Sequence, residues 1–144
     1  MFLGEYTHTV DPKGRVAIPA KFREKLIHGG IITKGFDRCL FVLGEGEWQK
    51  FVEEKLSGLP IGKSLSRAFS RHLLSSAVDV EFDVQGRILI PGPLRKFAGL
   101  SKNAVIIGVG TRLEVWDAGE WNAYKTKTEG AADEIAEKLG DLGI

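Results

Sequence analysis

Asp11-Pro12-Lys13-Gly14-Arg15-Val16-Ala17-Ile18-Pro19-Ala20-Lys21-Phe22-Arg23 returns 72 residues further along as Asp83-Val84-Gln85-Gly86-Arg87-Ile88-Leu89-Ile90-Pro91-Gly92-Pro93-Leu94-Arg95. Asp, Gly, Arg, Ile, Pro and Arg recur at matching places. Beyond a one-residue insertion, Gly35 to Trp48 aligns with Gly108 to Trp121, keeping Gly35/Gly108, Leu40/Leu113, Val42/Val115 and the run Gly-Glu-Trp at 46–48 and 119–121. Of 30 aligned positions (11–26 and 35–48), 12 are identical, where composition alone gives about two. The chain is an internal duplication.

Each copy reads alike. Tyr6 to Val10 and Val78 to Phe82 read as strands, each followed by a tight turn whose glycine takes positive φ and by a short alternating strand, Arg15 to Ile18 or Arg87 to Ile90. That predicts a hairpin in each copy. Pro19 and Pro91 end these strands, and Phe22 to Leu26 or Leu94 to Phe97 suits a short helix. A second hairpin follows: Ile31 to Lys34 with Leu40 to Leu43, then Ala104 to Val109 with Leu113 to Trp116. A helix closes each copy, with Trp48, Phe51, Val52 and Leu56 at helical spacing in the first and Trp121 and Tyr124 in the second. These aromatics fall on one stripe and are read as anchors of helix to sheet.

Between the copies, Ser57-Gly58-Leu59-Pro60-Ile61-Gly62 reads as a linker. The helix after it carries Leu65, Ala68, Phe69, His72 and Leu73 on one face, with Lys63, Arg67 and Arg71 spaced by four. A last acidic helix, Ala131 to Leu139, has Ile135 and Leu139 as its apolar contacts. The expected organisation is a first repeat at 1–57, a linker and connecting helix at 58–77, a second repeat at 78–128 and an acidic C-terminal segment at 129–144.

The balance of 20 Lys and Arg against 19 Asp and Glu in 144 residues names no partner. Its distribution is more telling. Residues 1–116 carry 17 against 12, net +5, and residues 117–144 carry 3 against 7, net −4. The local excess of Lys13, Arg15, Lys21, Arg23 and Lys25 over Asp11 and Glu24 marks one candidate surface. A chain of this size excludes a large multidomain enzyme, and its 43% hydrophobic content suits a folded domain. One cysteine, Cys39, excludes an internal disulfide or multi-cysteine zinc site. Neither a leader pattern nor an apolar run of about 18 residues is present, which leads to the expectation of a cytoplasmic protein without membrane contact.

Other chemistry finds little support. Gly58 to Ser64 has the wrong spacing, and a proline, for a phosphate loop, and His8, His28 and His72 have no carboxylate in metal-ligand register. No metal and no cofactor is expected. Asp11 and Asp83 as an acid–base pair are disfavoured because each has an arginine four residues on that would hold it ionised. No catalytic residue is assigned.

The repeated Asp-x-x-x-Arg, with glycine directly before the arginine, has two readings. In one it is a turn: Asp caps the N–H groups, Gly supplies positive φ and Arg pairs with Asp. In the other, the aspartate aims a forked guanidinium at guanine O6/N7 or phosphate.

At these residues, together with Met1-Phe2-Leu3-Gly4-Glu5-Tyr6-x-His8, Trp116 and Trp121, the chain resembles the MraZ family of the AbrB-like swapped-hairpin class. The resemblance covers nearly the whole length. It implies an α+β fold in which the two repeats interlock into one β-barrel unit with flanking helices, and assembly of copies into a closed homo-oligomeric ring. It further implies a nucleoid-associated transcriptional regulator, usually a repressor, that binds double-stranded DNA at direct repeats in the promoter of its own division and cell-wall gene cluster. Arg15 and Arg87 fall on the DNA-contacting positions, with Asp11 and Asp83 as their orienters. Lys13 is placed as a phosphate or base contact, Gln85 as its uncharged counterpart, and Lys21, Arg23, Arg95 and Lys96 as phosphate contacts. The competing reading is a ring-forming scaffold in which Asp-x-x-x-Arg is only a turn ion pair.

Overall fold

A computed structural model describes residues 1–143. The first copy runs β1 (Phe2–Thr9), β2 (Arg15–Ala17), α1 (Ala20–Arg23), β3 (Gly30–Lys34), β4 (Leu40–Gly44) and α2 (Glu45–Phe51). After the connecting helix α3 (Ser64–Leu74) comes the second: β5 (Val78–Asp79), β6 (Arg87–Leu89), α4 (Gly92–Ala98), β7 (Asn103–Gly110), β8 (Arg112–Asp117) and α5 (Ala118–Lys138). The fold is mixed α and β, built on an antiparallel sheet in the order β1-β7-β8-β4-β3-β5, with β2 and β6 forming a separate two-stranded ribbon.

The strand order shows how the copies combine. Hairpins β3–β4 and β7–β8 join at the centre through β4 and β8, and each is flanked by the first strand of the other copy. β1 therefore pairs with β7 along its full length, Phe2 opposite Gly110 to Thr9 opposite Asn103, and β5 pairs with β3. This corrects the expectation of a hairpin within each copy. The turns form as read, but the strands beside them meet only at the single bridges Val10–Val16 and Phe82–Ile88 before parting. A three-residue β2 offers too short an edge for an eight-residue β1, whereas β7 matches it in length. Gly108 permits the exchange, because a Cβ there would collide with the backbone of Phe2 and Leu3.

Equivalent residues of the two copies meet in one core. Val16 and Ile88, Ile18 and Ile90, Phe22 and Leu94, and Leu26 and Ala98 are all buried in it, joined by Leu40, Val42, Leu113 and Val115 from the central strands. Each larger aliphatic or aromatic side chain among them contributes about 1.5–3 kcal/mol, so ribbon and sheet stand or fall together.

Two further expectations are revised, and the connecting helix is placed. Val78–Phe82 forms only a two-residue strand, continued by a bond from Val80 N to Gly30 O and the Phe82 bridge. The apolar face of α3 packs from its middle onward: Leu73 is buried and both Phe69 and His72 stack on Phe36, while Leu65 is exposed. The acidic stretch 131–139 is not a separate helix. Asp117 accepts bonds from Gly119 N and Glu120 N, and α5 then runs 21 residues straight through Gly130. Its first half packs as read, with Trp121 and Tyr124 at 5.2 and 5.0 Å from the Trp116 ring centre. Trp121 Nε1 and Lys125 Nζ both donate to Glu5, which fastens this helix of the second copy to β1 of the first.

Candidate nucleic-acid interface

The two Asp-x-x-x-Arg turns are built almost identically. Asp11 Oδ1 accepts from the backbone N–H of Lys13 (3.0 Å) and Arg15 (2.8 Å), and Oδ2 accepts from Arg15 Nε at 2.6 Å. Asp83 Oδ1 accepts from Gln85 N and Arg87 N, each at 2.9 Å, and Oδ2 from Arg87 Nε at 2.8 Å. Gly14 (φ 87°) and Gly86 (φ 75°) take the left-handed conformation that closes each turn. Both carboxyls are held below the usual carboxylate range, chiefly by the backbone N–H of Arg15 or Arg87 and then by its side chain. They stay ionised, unsuited to donating a proton at neutral pH.

Antiparallel pairing of β2 with β6, Arg15 opposite Leu89, Val16 opposite Ile88 and Ala17 opposite Arg87, brings the turns together. Val16 and Ile88 point into the core, so by strand alternation Arg15, Ala17, Arg87 and Leu89 share the outward face. Arg87 Nη1 also lies 3.6 Å from Asp11 Oδ2, which ties one turn to the other. In both turns the aspartate engages Nε, and the forked Nη ends make no hydrogen bond among the described residues. A guanidinium fixed at its root, with its fork outside any hydrogen bond, is suited to bidentate recognition of a base edge or a phosphate.

Arg23 and Arg95 have a structural duty the sequence reading did not give them. Arg23 Nη1 donates to Ile18 O at 2.6 Å and its guanidinium covers Gly86 of the other copy. Arg95 donates to Ile90 O and, at 3.5 Å, to Lys13 O, and covers Gly14. Each arginine thus braces the opposite turn, and neither glycine has room for a Cβ. The signal was in the repeat, since both glycines and both arginines are among its identities, but which copy each would touch depends on the strand exchange.

Lys13 and Gln85 are exposed at the two tips. Lys21 stands apart from them, its Nζ 4.7 Å from the Tyr6 ring centre, and Lys96 is exposed on α4. The ribbon therefore gathers Asp11, Lys13, Arg15, Asp83, Gln85 and Arg87, with Arg23 and Arg95 behind them. Sequence reading missed Leu89 and Val84: Leu89 is 59% exposed between neighbours that are buried, and Val84 stands fully exposed at the second tip.

Elsewhere, Cys39 is buried, which pushes its thiol well above the ordinary range, and it contacts Phe36 O. Among the described residues no group of three or more His, Cys, Asp or Glu converges as a metal site. No helix among them is long and apolar enough to cross a membrane.

Comparison with protein-family models matches residues 1–72 and 73–141, each to the family described as "MraZ protein, putative antitoxin-like". Among relatives, the chain is 51% identical over 142 residues to the transcriptional regulator MraZ of Carboxydothermus hydrogenoformans, covering 99% of both chains. It is 52% identical over 144 residues to the proteins of that name from Alkaliphilus oremlandii and Acetivibrio thermocellus, covering all of each. With two family matches in tandem and full-length relatives at about half identity, the chain belongs to the MraZ family of transcriptional regulators.

Proposed function

We propose that this protein is a sequence-specific DNA-binding regulator that reads duplex DNA through the outward face of the β2–β6 ribbon. The observation that carries this reading is the pair of aspartate-held arginines, Arg15 and Arg87, fixed on one face of a two-stranded ribbon, their Nη ends outside any hydrogen bond among the described residues and only that of Arg87 engaged, in the 3.6 Å ion pair to Asp11. The major groove, about 12 Å wide, admits such a ribbon, and an arginine fork matches guanine O6 and N7. Lys13 adds charge at one tip, with Lys21 and Lys96 toward the flanking phosphates. Arg23 and Arg95 hold the turns in shape and add their charge behind them. The exchange of β1 and β5 between copies supports assignment of the unit to the AbrB-like swapped-hairpin class.

In the full reading, copies of the chain assemble into a closed ring that presents the ribbon at regular intervals. Modest single contacts then add through effective concentration on direct repeats in the promoter of its own division and cell-wall gene cluster, and binding represses transcription there. The protein works in the cytoplasm on the nucleoid. Exposed Leu65 and Phe69 on α3, Ile135 on α5 and Leu139 just past its end support self-association.

A second reading has an observation of its own: each aspartate also takes two backbone N–H groups, as a purely structural turn ion pair would in a ring-forming scaffold. Fluorescence anisotropy separates the two. A labelled duplex from upstream of the gene, and a scrambled one, are titrated at two salt concentrations with wild type and with Arg15→Ala/Arg87→Ala. DNA reading predicts selective binding that weakens steeply with salt and falls more than about 100-fold in the double variant, with light scattering showing unchanged assembly. Equal binding by the assembled variant, or no preference in wild type, favours the scaffold.

A further inference from the structure

Leu89 is an aliphatic side chain with no visible work inside the fold. Its neighbours Ile88 and Ile90 are 1% and 0% exposed, whereas Leu89 is 59% exposed on the outward face of the ribbon. It is directly opposite Arg15 in the β2–β6 register, with Cβ atoms about 5 Å apart, and two residues from Arg87 on the same face. The equivalent place in the first copy, opposite Arg87, is held by Ala17. An exposed leucine set between two arginines calls for an occupant whose charge answers the arginines and which also carries an apolar group at the level of their base contacts. The major-groove edge of duplex DNA offers that combination, because phosphates flank the groove and thymine alone among the four bases projects a methyl group into it.

We infer that Leu89 is a specificity-determining residue that packs on thymine C5-methyl groups in the major groove, beside bases contacted by Arg15 and Arg87. The inference rests on the DNA-binding reading above and adds a base to it. It also gives the ribbon a direction. Two identical copies about a pseudo-twofold would read a symmetric site, but Leu89 against Ala17 and Gln85 against Lys13 make the two ends of the ribbon unlike. Each subunit then binds in one orientation, as sites repeated head to tail require.

The test uses the full chain and the same upstream duplex in two forms, natural and with deoxyuridine at every thymine, which removes only the methyl groups. Wild type is expected to bind the uracil duplex about three- to fivefold more weakly, the scale of one partly buried methyl contact. Leu89→Ala is expected to bind both duplexes alike, at the level of wild type on uracil. Its melting temperature should be little changed, since Ile88 carries the inward packing; Leu89→Gln serves as a second variant with a similar stem. Equal affinity of wild type for the two duplexes overturns the inference, as does a variant that keeps the wild-type preference for thymine. Failure of wild type to prefer the natural duplex over a scrambled one is a different result, which removes the DNA reading itself and this inference with it.

Discussion

The two tips share one skeleton and present two different faces. Around Asp11 and around Asp83 the same hydrogen bonds recur, to within 0.2 Å in the aspartate's bonds to nitrogen, and each glycine is covered by the other copy's arginine. Outward, the first tip shows Pro12, Lys13 and Ala17, and the second shows Val84, Gln85 and Leu89. The Asp, Gly and Arg residues that build and brace the turns are kept in both copies, and the tip residues Pro12/Val84 and Lys13/Gln85 and the outward pair Ala17/Leu89 have diverged. A duplicated framework thus separates two tasks: holding arginines, which both tips do, and choosing what lies beside them, which each does differently.

The strongest challenge to the shared skeleton is a side chain on either glycine. Gly14→Ala and Gly86→Ala each combine an unfavourable left-handed backbone with displacement of a bracing guanidinium. Urea denaturation should show each losing about 2 kcal/mol, and the two losses should agree. Unequal losses would mean that one brace is looser than its partner, and the equivalence of the tips would fail.

A smaller effect sharpens the contrast between the outward faces. Lys13→Gln makes the first tip resemble the second, and Gln85→Lys does the reverse. In anisotropy titrations across salt, the first should make the fall of log affinity with log salt shallower by ~0.9 and the second steeper by ~0.9, one phosphate contact each. Affinity should shift several-fold in each direction. An unchanged slope in both variants would show that the tip cations point away from the phosphates.

Smallest is the response to acid. A carboxyl whose folded pKa lies below its unfolded value, ~3.9 for aspartate, adds stability that is full above that value and lost as pH falls through the folded one. Asp11 and Asp83 are both depressed in this sense. The drop in melting temperature between about pH 6 and about pH 3 should therefore be smaller in Asp11→Asn/Asp83→Asn than in wild type, with the single variants contributing alike. A double variant as acid-sensitive as wild type would mean that other carboxylates govern the response.

Much of this was legible before any coordinates. The 72-residue repeat announced the duplication, and the Gly-Arg pairs, the prolines and the alternation of Val16/Ile18 and Ile88/Ile90 located turns, strands and core. Asp-x-x-x-Arg named its own hydrogen bonds, because those partners lie four residues apart. What could not be read was which strand pairs with which. An antiparallel edge accepts any strand of suitable length and face, so exchange between copies leaves no local mark, and the placement of Arg23 and Arg95 over the opposite turns was hidden with it. The acidic helix read as Ala131 to Leu139 is the end of α5, which runs on through Gly130, since one glycine in an exposed helix costs only about 1 kcal/mol. Leu65 and Phe69 repeated at helical spacing without being buried, because periodicity reports an apolar face and not what covers it.

The exchange also sets the order in which this molecule can be made. β1 begins at Phe2, and its partner strand ends at Gly110, so β1 leaves the ribosome long before it has an edge to join. Domains ordinarily fold as they emerge, N-terminal part first. Here the first copy emerges with an unclosed sheet and a ribbon lacking its second strand, and it is completed only by sequence from the second. Pairings about 100 residues apart belong to slow, late steps, so translation of the second half doubles as the trigger for folding of the first. A nascent chain halted near residue 72 should remain open to protease along β1, and one that has cleared residue 117 should close as a single unit.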